Sequence, residues 1–245
     1  MTQLIALTSV RGRSGKDTLI EQLQARGLVV DRVAFGDILK EQCAEELDNW
    51  TTPKDTLLQW FHNDMKDREV PDLAIKHIKD GPYRRWLMDV AERNGDGKWM
   101  EAARSPRWHL QKYGTDYRRN YLNNPHVWLQ AGLDHIKGLV DAGAQLIVVT
   151  DLRQRNEYCA LVSLTHDCKD QTEHPAFLKV ERDERIKPCQ TVRLHRMWFV
   201  PGVDDAEYHV TDVDLIGFSM SAVILNVWGN PSDMVDQLIR QGGLK

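Results

Sequence analysis

The chain has 245 residues, 42% of them hydrophobic and 28% charged, and a formal net charge of −4. That balance excludes general disorder, and its sign excludes a surface that grips nucleic acid over its whole extent, leaving room only for a local basic cleft. Four scattered cysteines without a C-x-x-C pair predict free thiols in a reducing compartment, and no apolar run approaches the ~18 residues of a membrane span, so a cytoplasmic, non-membrane protein is expected.

In chain order, Leu4 to Ser9 reads as a short strand apolar on both faces, the mark of a central parallel strand. Residues 15 to 26 carry Leu19, Ile20 and Leu23 at helical spacing, with Gly27 placed to end the helix in a left-handed turn. Val29 to Phe35 is a second strand, after which Asp37 is expected to cap a helix. Residues 51 to 107, with Pro53, Pro71, Pro82 and Pro106 and the turn-like ERNGDGKW, predict a helical and loop insertion, a lid or acceptor-side subdomain between a core of 1–50 and 108–245.

Regularity returns at Asn124 and Pro125, an N-cap and N1 pair ahead of an apolar helix face, followed by a buried strand at Leu146 to Val149. NEYCALVSL reads as helix, AFLKVE as extended and AVILNVW as strand; Asn230, Pro231 and Asp233 then open a last helix. Repeated strand-to-helix units predict an α/β/α fold with a central parallel sheet. The eight tryptophans are spread widely and read as packing residues.

Between the first strand and its helix lies SVRGRSGKDT. Gly12 and Gly15 let the chain curl with amides inward, the helix start adds positive partial charge, and Lys16 adds a full one, together a cradle for a polyphosphate. The pattern G-x-x-x-x-G-K-[ST] is met with two departures: Val10 stands at the first glycine, and Asp17 follows the lysine where a hydroxyl is usual. Lys16 is then a lysine spanning β- and γ-phosphates, a lysine on another anion, or a solvated residue of a capped turn. Thr18 could touch an α-phosphate and Asp17 could hold magnesium, directly or through water.

Phosphoryl transfer calls for arginines converging from separate segments. The candidates are Arg13, Arg118 or Arg119 after YGTD, Arg153 in TDLRQRNE, and Arg182 or Arg185 in KVERDER. Asp151, just past the LIVVT strand, stands where parallel sheets bind ligands, and could arrange magnesium-bound water or an acceptor; a loop salt bridge with Arg153 is the plain alternative. Asp37 and Lys40 share a helix face and could meet an acceptor, or serve as cap and solvated lysine. Arg84-Arg85 and Arg118-Arg119 are anion-surface candidates, one residue of each pair at most facing a given phosphate. His209, near Thr211, Asp212 and Asp214, lacks the spacing of a zinc site, and no G-x-S-x-G elbow is present.

The ordered pieces RSGKDT, FGDILKE, LQKYGTDYRRNYLNNPHVWLQ, LIVVTDLRQRNE, HVTD and AVILNVWGNPSDMVDQL resemble the deoxynucleoside monophosphate kinases of tailed bacteriophages, a branch of the P-loop kinases. The resemblance covers about two thirds of the chain and is weak over 51–105. It implies a P-loop NTPase-type fold with Arg13, Ser14, Gly15, Lys16, Asp17 and Thr18 as donor-phosphate loop. It also implies Asp151, Arg153, Asn156 and Glu157 as the element after the central strand, and Arg118 or Arg119 with Trp128 on the acceptor side. The implied reaction moves the ATP γ-phosphoryl group to a deoxynucleoside 5′-monophosphate with Mg2+, giving diphosphate and ADP, and the family admits a homodimer. Rival expectations are a kinase acting on the hydroxymethyl group of modified pyrimidines in DNA and a nucleotide-binding regulatory module without an acceptor.

Overall fold

The computed structural model describes residues 1–93, 97–166, 178–205 and 213–244. In chain order the elements are β1 (Gln3–Thr8), α1 (Lys16–Ala25), β2 (Asp31–Val33), α2 (Phe35–Leu47), α3 (Lys54–His62), α4 (Pro82–Arg93), α5 (Pro106–Gln111), a π-helix (Lys112–Tyr121), α6 (Val127–Asp141), β3 (Leu146–Val149), α7 (Arg155–Ser163), β4 (Gln190–Arg196), β5 (Ala222–Asn226) and α8 (Asp233–Arg240). The chain packs as two compact units, 1–34 with 132–245, and 35–131; the segment 51–107 lies inside the second. No described helix is long and apolar enough to cross a membrane.

The first unit is a three-layer α/β/α arrangement. Its five described strands are all parallel in the order β2-β3-β1-β4-β5, with Ile5 opposite Val148, Ala6 opposite Thr191 and Leu194 opposite Ile224. Every residue of β1 is buried, which is why its sequence shows no polar alternation. Ile5, Leu7, Val148, Val192 and Ile224 share one core with Leu19 and Leu23 of α1 and Met234, Val235 and Leu238 of α8. Each such leucine contributes on the order of 1.5–3 kcal/mol by leaving water. Leu4, Ala6, Ile147 and Val149 alternate toward the opposite face and are buried there as well.

β5 is an edge strand whose outward backbone is not left bare. The Gln237 side chain accepts from Leu225 N–H and donates to Leu225 C=O, both at 2.8 Å, and Gln241 does the same for Val223 at 3.0 and 2.8 Å. Two glutamines one helical turn apart thus act as a surrogate strand and block edge pairing.

The second unit has an aromatic core. Tyr83, wholly buried, meets Tyr113 edge-on at 5.1 Å and Tyr117 at 5.4 Å, in a cluster with Trp86 and Trp128. Burial pulls His109 down to about 4, so the ring is neutral: Nε2 donates to the Leu73 carbonyl at 2.8 Å and Nδ1 accepts from the Tyr83 hydroxyl at 3.2 Å. From Lys112 the helix widens, and Leu122 N–H reaches back five residues to Tyr117 C=O.

Several expected boundaries shift. Asp37 does not cap α2 but sits in its first turn. α6 and α8 begin at Val127 and Asp233, two residues past each proline, and β2 is shorter than expected because Val29 is 74% exposed. Of AFLKVE, the described 178–181 are not strand, and 176–177 lie outside the described residues, as do Cys168, His209, Thr211 and Asp212. β4 and the π-helix have no counterpart in the sequence reading. Cys43, Cys159 and Cys189 are free thiols.

Candidate functional site

The segment after β1 turns sharply at its end. Arg13 takes φ +55 and Gly15 φ +93, both left-handed, and Lys16 opens α1 directly after. Among the described residues, no acceptor pairs with the amide N–H of Gly12, Arg13, Ser14, Gly15, Asp17 or Thr18. A run of open donors at the start of a helix is an anion-binding geometry. The turn is held from β5: Asn226, at its last position and buried, donates Nδ2 to the Ser14 carbonyl at 3.0 Å. A Cβ built at Gly15 would collide with that same amide, so glycine is required there by space as well as by φ.

These residues line a cleft of about 620 Å³ bordered by Arg13, Ser14, Gly15, Lys16, Asp17 and Thr18 on one side and Trp198, Asn226 and Trp228 on the other. The volume falls in the range of small-molecule sites. All three contributing segments leave the carboxyl ends of β1, β4 and β5, and β1 and β4 are neighbours whose following strands, β2 and β5, lie toward opposite edges of the sheet. A crevice at such a switch point is where open parallel sheets bind ligands. Lys16 Nζ donates to Ser9 Oγ at 2.7 Å, which holds the ammonium over the turn. The Arg13 guanidinium is exposed and has no ion pair among the described residues.

Behind the turn a second, charged seat is built. Arg196, its side chain 3% exposed, binds Asp204 with Nη1 at 2.8 Å and Nη2 at 2.7 Å, and also the Trp198 carbonyl at 3.0 Å. Arg11 holds the carbonyls of Val203 and Asp204, each at 3.1 Å. The hydrogen bonds from Arg196 first, and from Val200 N–H next, keep the Asp204 carboxyl below its ordinary range. Ser14 Oγ and Arg196 Nε are buried without a partner among the described residues, and both residues line a polar cavity of about 80 Å³ under the turn. That is room for ordered water bridging the two.

The other sequence candidates separate by location. Asp151 is at the same end of the sheet, flanked by Thr150 N–H on Val33 C=O and Leu152 N–H on Leu7 C=O, but neither it nor Arg153 is among the described residues lining the cleft. Glu157 has a structural role, accepting from Arg153 and Gln154 N–H at 2.9 and 3.0 Å in the capping box of α7, and Asn156 Oδ1 accepts from Glu157 N–H. Arg185 is not brought to the turn. Its carbonyl accepts from Thr2 N–H at the amino end of β1, roughly 20 Å away along the strand. Its guanidinium binds Asp141 and Asp183. Arg182 directly precedes Asp183, whose N–H pairs with Leu164 beyond the far end of α7, so it is displaced in the same way.

In the second unit, Lys40 pairs with Asp37 at 2.8 Å, as their spacing on one helix face allows. Arg118 donates to Gln42 Oε1 and the Tyr113 hydroxyl and lies 5.3 Å over the Trp128 ring. Trp128 itself is 4% exposed, with its indole N–H on the Gly114 carbonyl, so it supports Arg118 from the core and has no open face for a substrate. Arg119 follows on the π-helix, half-buried.

Trp198 and Trp228, expected with the other tryptophans to be packing residues, border the cleft instead, with Trp228 76% exposed, and Asn226 carried no expectation from sequence. The signal for Asn226 and Trp228 was present, since they follow an apolar strand at its carboxyl end; Trp198 follows β4, which was not recognised. No protein-family model matches the chain, and no curated protein gives a significant match.

Proposed function

We propose that the chain is an ATP-dependent deoxynucleoside monophosphate kinase that uses this turn as its donor-phosphate loop. The observation that carries the reading is the set of amides of Gly12, Arg13, Ser14, Gly15, Asp17 and Thr18 at the start of α1, which have no acceptor among the described residues, with the side chains of Lys16 and Arg13 at the same cleft. In that reading the amides and Lys16 hold the β- and γ-phosphates, and Arg13 meets charge that develops on the migrating group. Preorganised donors of this kind need no rearrangement as the charge moves.

Magnesium fits the donor set. Asp17 borders the cleft with its carboxylate 81% exposed, 3.7 Å from Arg32, beside the Thr18 hydroxyl. Mg2+ is commonly held by one or two carboxylates together with phosphate oxygens and water, and when bound it neutralises charge across the phosphates. Asp17 would hold it, with Asp151 the second carboxylate at this end of the sheet. The acceptor as a deoxynucleoside monophosphate rests on the resemblance, which brings Arg118 or Arg119, while Asp37 and Lys40 are the further candidates read from their shared helix face. A phosphate acceptor already offers an anionic oxygen, so positioning outweighs general-base catalysis.

Incubation of the chain with ATP, Mg2+ and each deoxynucleoside monophosphate, followed by nucleotide chromatography, tests the reading. The expected result is stoichiometric ADP and deoxynucleoside diphosphate for at least one base. Slow ATP hydrolysis unchanged by every acceptor would favour a regulatory module instead, and product only with hydroxymethylated DNA would favour the DNA kinase.

A further inference from the structure

Resting on that reading, we infer that the cleft continues into a nucleobase subsite made by Trp198 and Trp228, which grips the donor by its ring face and discriminates little among bases. The two indoles meet edge to face, centroids 5.2 Å apart and planes at 78°, and both border the cleft that holds the phosphate turn. Trp228 is 76% exposed, so a broad aromatic face is open to solvent at the cleft mouth. Met197 and Phe199, the chain neighbours of Trp198, are also exposed. Large apolar side chains left in water next to a polar turn mark a binding surface, and here the turn selects the occupant: a polyphosphate that carries an aromatic ring.

The tryptophans are fixed in place. Trp198 follows β4 by two residues, and its carbonyl is held by Arg196 while Asp204, six residues on, is gripped by Arg196 and Arg11. Met197 N–H bonds the Asn226 carbonyl at 3.0 Å, which ties this segment to β5, and Asn230 N–H bonds Val227 C=O across the turn bearing Trp228. Arg196 and Asp204 are therefore positioning residues for the subsite.

Base selectivity needs polar groups aimed at a base edge. Among the described residues that line the cleft from the ends of β4 and β5 onward, Asn226 is the one amide side chain, and its Nδ2 donates to the Ser14 carbonyl. The carbonyls of Asn226 and Val227 are engaged within the protein as well. What remains is stacking, which every base satisfies with its π face.

Equilibrium binding of ATP, GTP, CTP, UTP and inorganic tripolyphosphate to the full chain with Mg2+, for wild type, Trp228→Ala and Trp228→Phe, tests this. The four nucleotides are expected to bind within about ten-fold of one another and at least roughly ten-fold tighter than tripolyphosphate, the scale of one base–aromatic stack. Trp228→Ala should bring all four to the tripolyphosphate level without weakening tripolyphosphate, and Trp228→Phe should keep most of the gain. Tripolyphosphate binding as tightly as the nucleotides, one base favoured by more than about 100-fold, or Trp228→Ala weakening tripolyphosphate equally, would overturn the subsite while leaving the phosphate loop standing. If neither tripolyphosphate nor any nucleotide binds wild type, both fall.

Discussion

Replacing Lys16 by alanine is expected to lower kcat/KM for ATP-dependent phosphoryl transfer by on the order of 10²–10³-fold, the usual consequence of deleting one preorganised donor to developing charge. The fold should survive the change. Lys16 is half-exposed at the first position of α1, its ammonium bonds Ser9 Oγ, and alanine is a better helix former than lysine. Steady-state kinetics alongside thermal unfolding separates the two effects. A variant with wild-type melting and turnover within about three-fold of wild type would remove Lys16 from the machinery.

The second large effect is expected at Gly15. Gly15→Ala must place a Cβ on the Asn226 amide while holding φ +93, a region that costs an L-residue roughly 1–2 kcal/mol, with overpacking adding about 1–3 kcal/mol. The turn and Asn226 cannot both stay where they are, so nucleotide binding should be lost together with about 2–5 kcal/mol of stability. Gly27→Ala is the control. Gly27 is also left-handed, at φ +83, but a Cβ there has open space, and only the conformational cost of about 1–2 kcal/mol is expected, with binding retained. Chemical denaturation and nucleotide titration of both variants check the contrast. Equal losses would mean that contact with Asn226 does not shape the turn.

The parts of the fold legible in sequence were those where one force dominates. β1, β3 and the AVILN strand are short and strongly apolar, and Gly27 with its left-handed φ ends α1 where the helical period stops. The tight turn after β1 was legible for a similar reason, because glycines between an apolar strand and a helix period mark a curl in the chain, and Gly15 takes the left-handed φ that such a curl uses.

β4 was illegible because its sequence, QTVRLHR, reads polar. Its arginines are satisfied by the loop that follows the strand: Arg193 donates to the Leu215 carbonyl and Arg196 to Asp204. That loss hid Trp198 as well, since a residue cannot be placed at a strand's carboxyl end before the strand is seen. The π-helix was illegible because its residues pair five apart, whereas a 3.6-residue period is what sequence patterns reveal. The caps at Asn124 and Asn230 misled by two residues because each Asn-Pro first makes a turn. Arg185 misled because a basic cluster in sequence says nothing of which end of a sheet it reaches, and Asp141 and Asp183 claim it at the amino end.

The turn after β1 is expected to take phosphate through its amides. Titrating the ¹⁵N-labelled chain with inorganic tripolyphosphate in the presence of Mg2+ reads those groups one by one. The largest amide shifts are expected at Gly12, Arg13, Ser14, Gly15, Asp17 and Thr18. Saturable binding that leaves these six signals unmoved, or no binding at millimolar ligand, would contradict it.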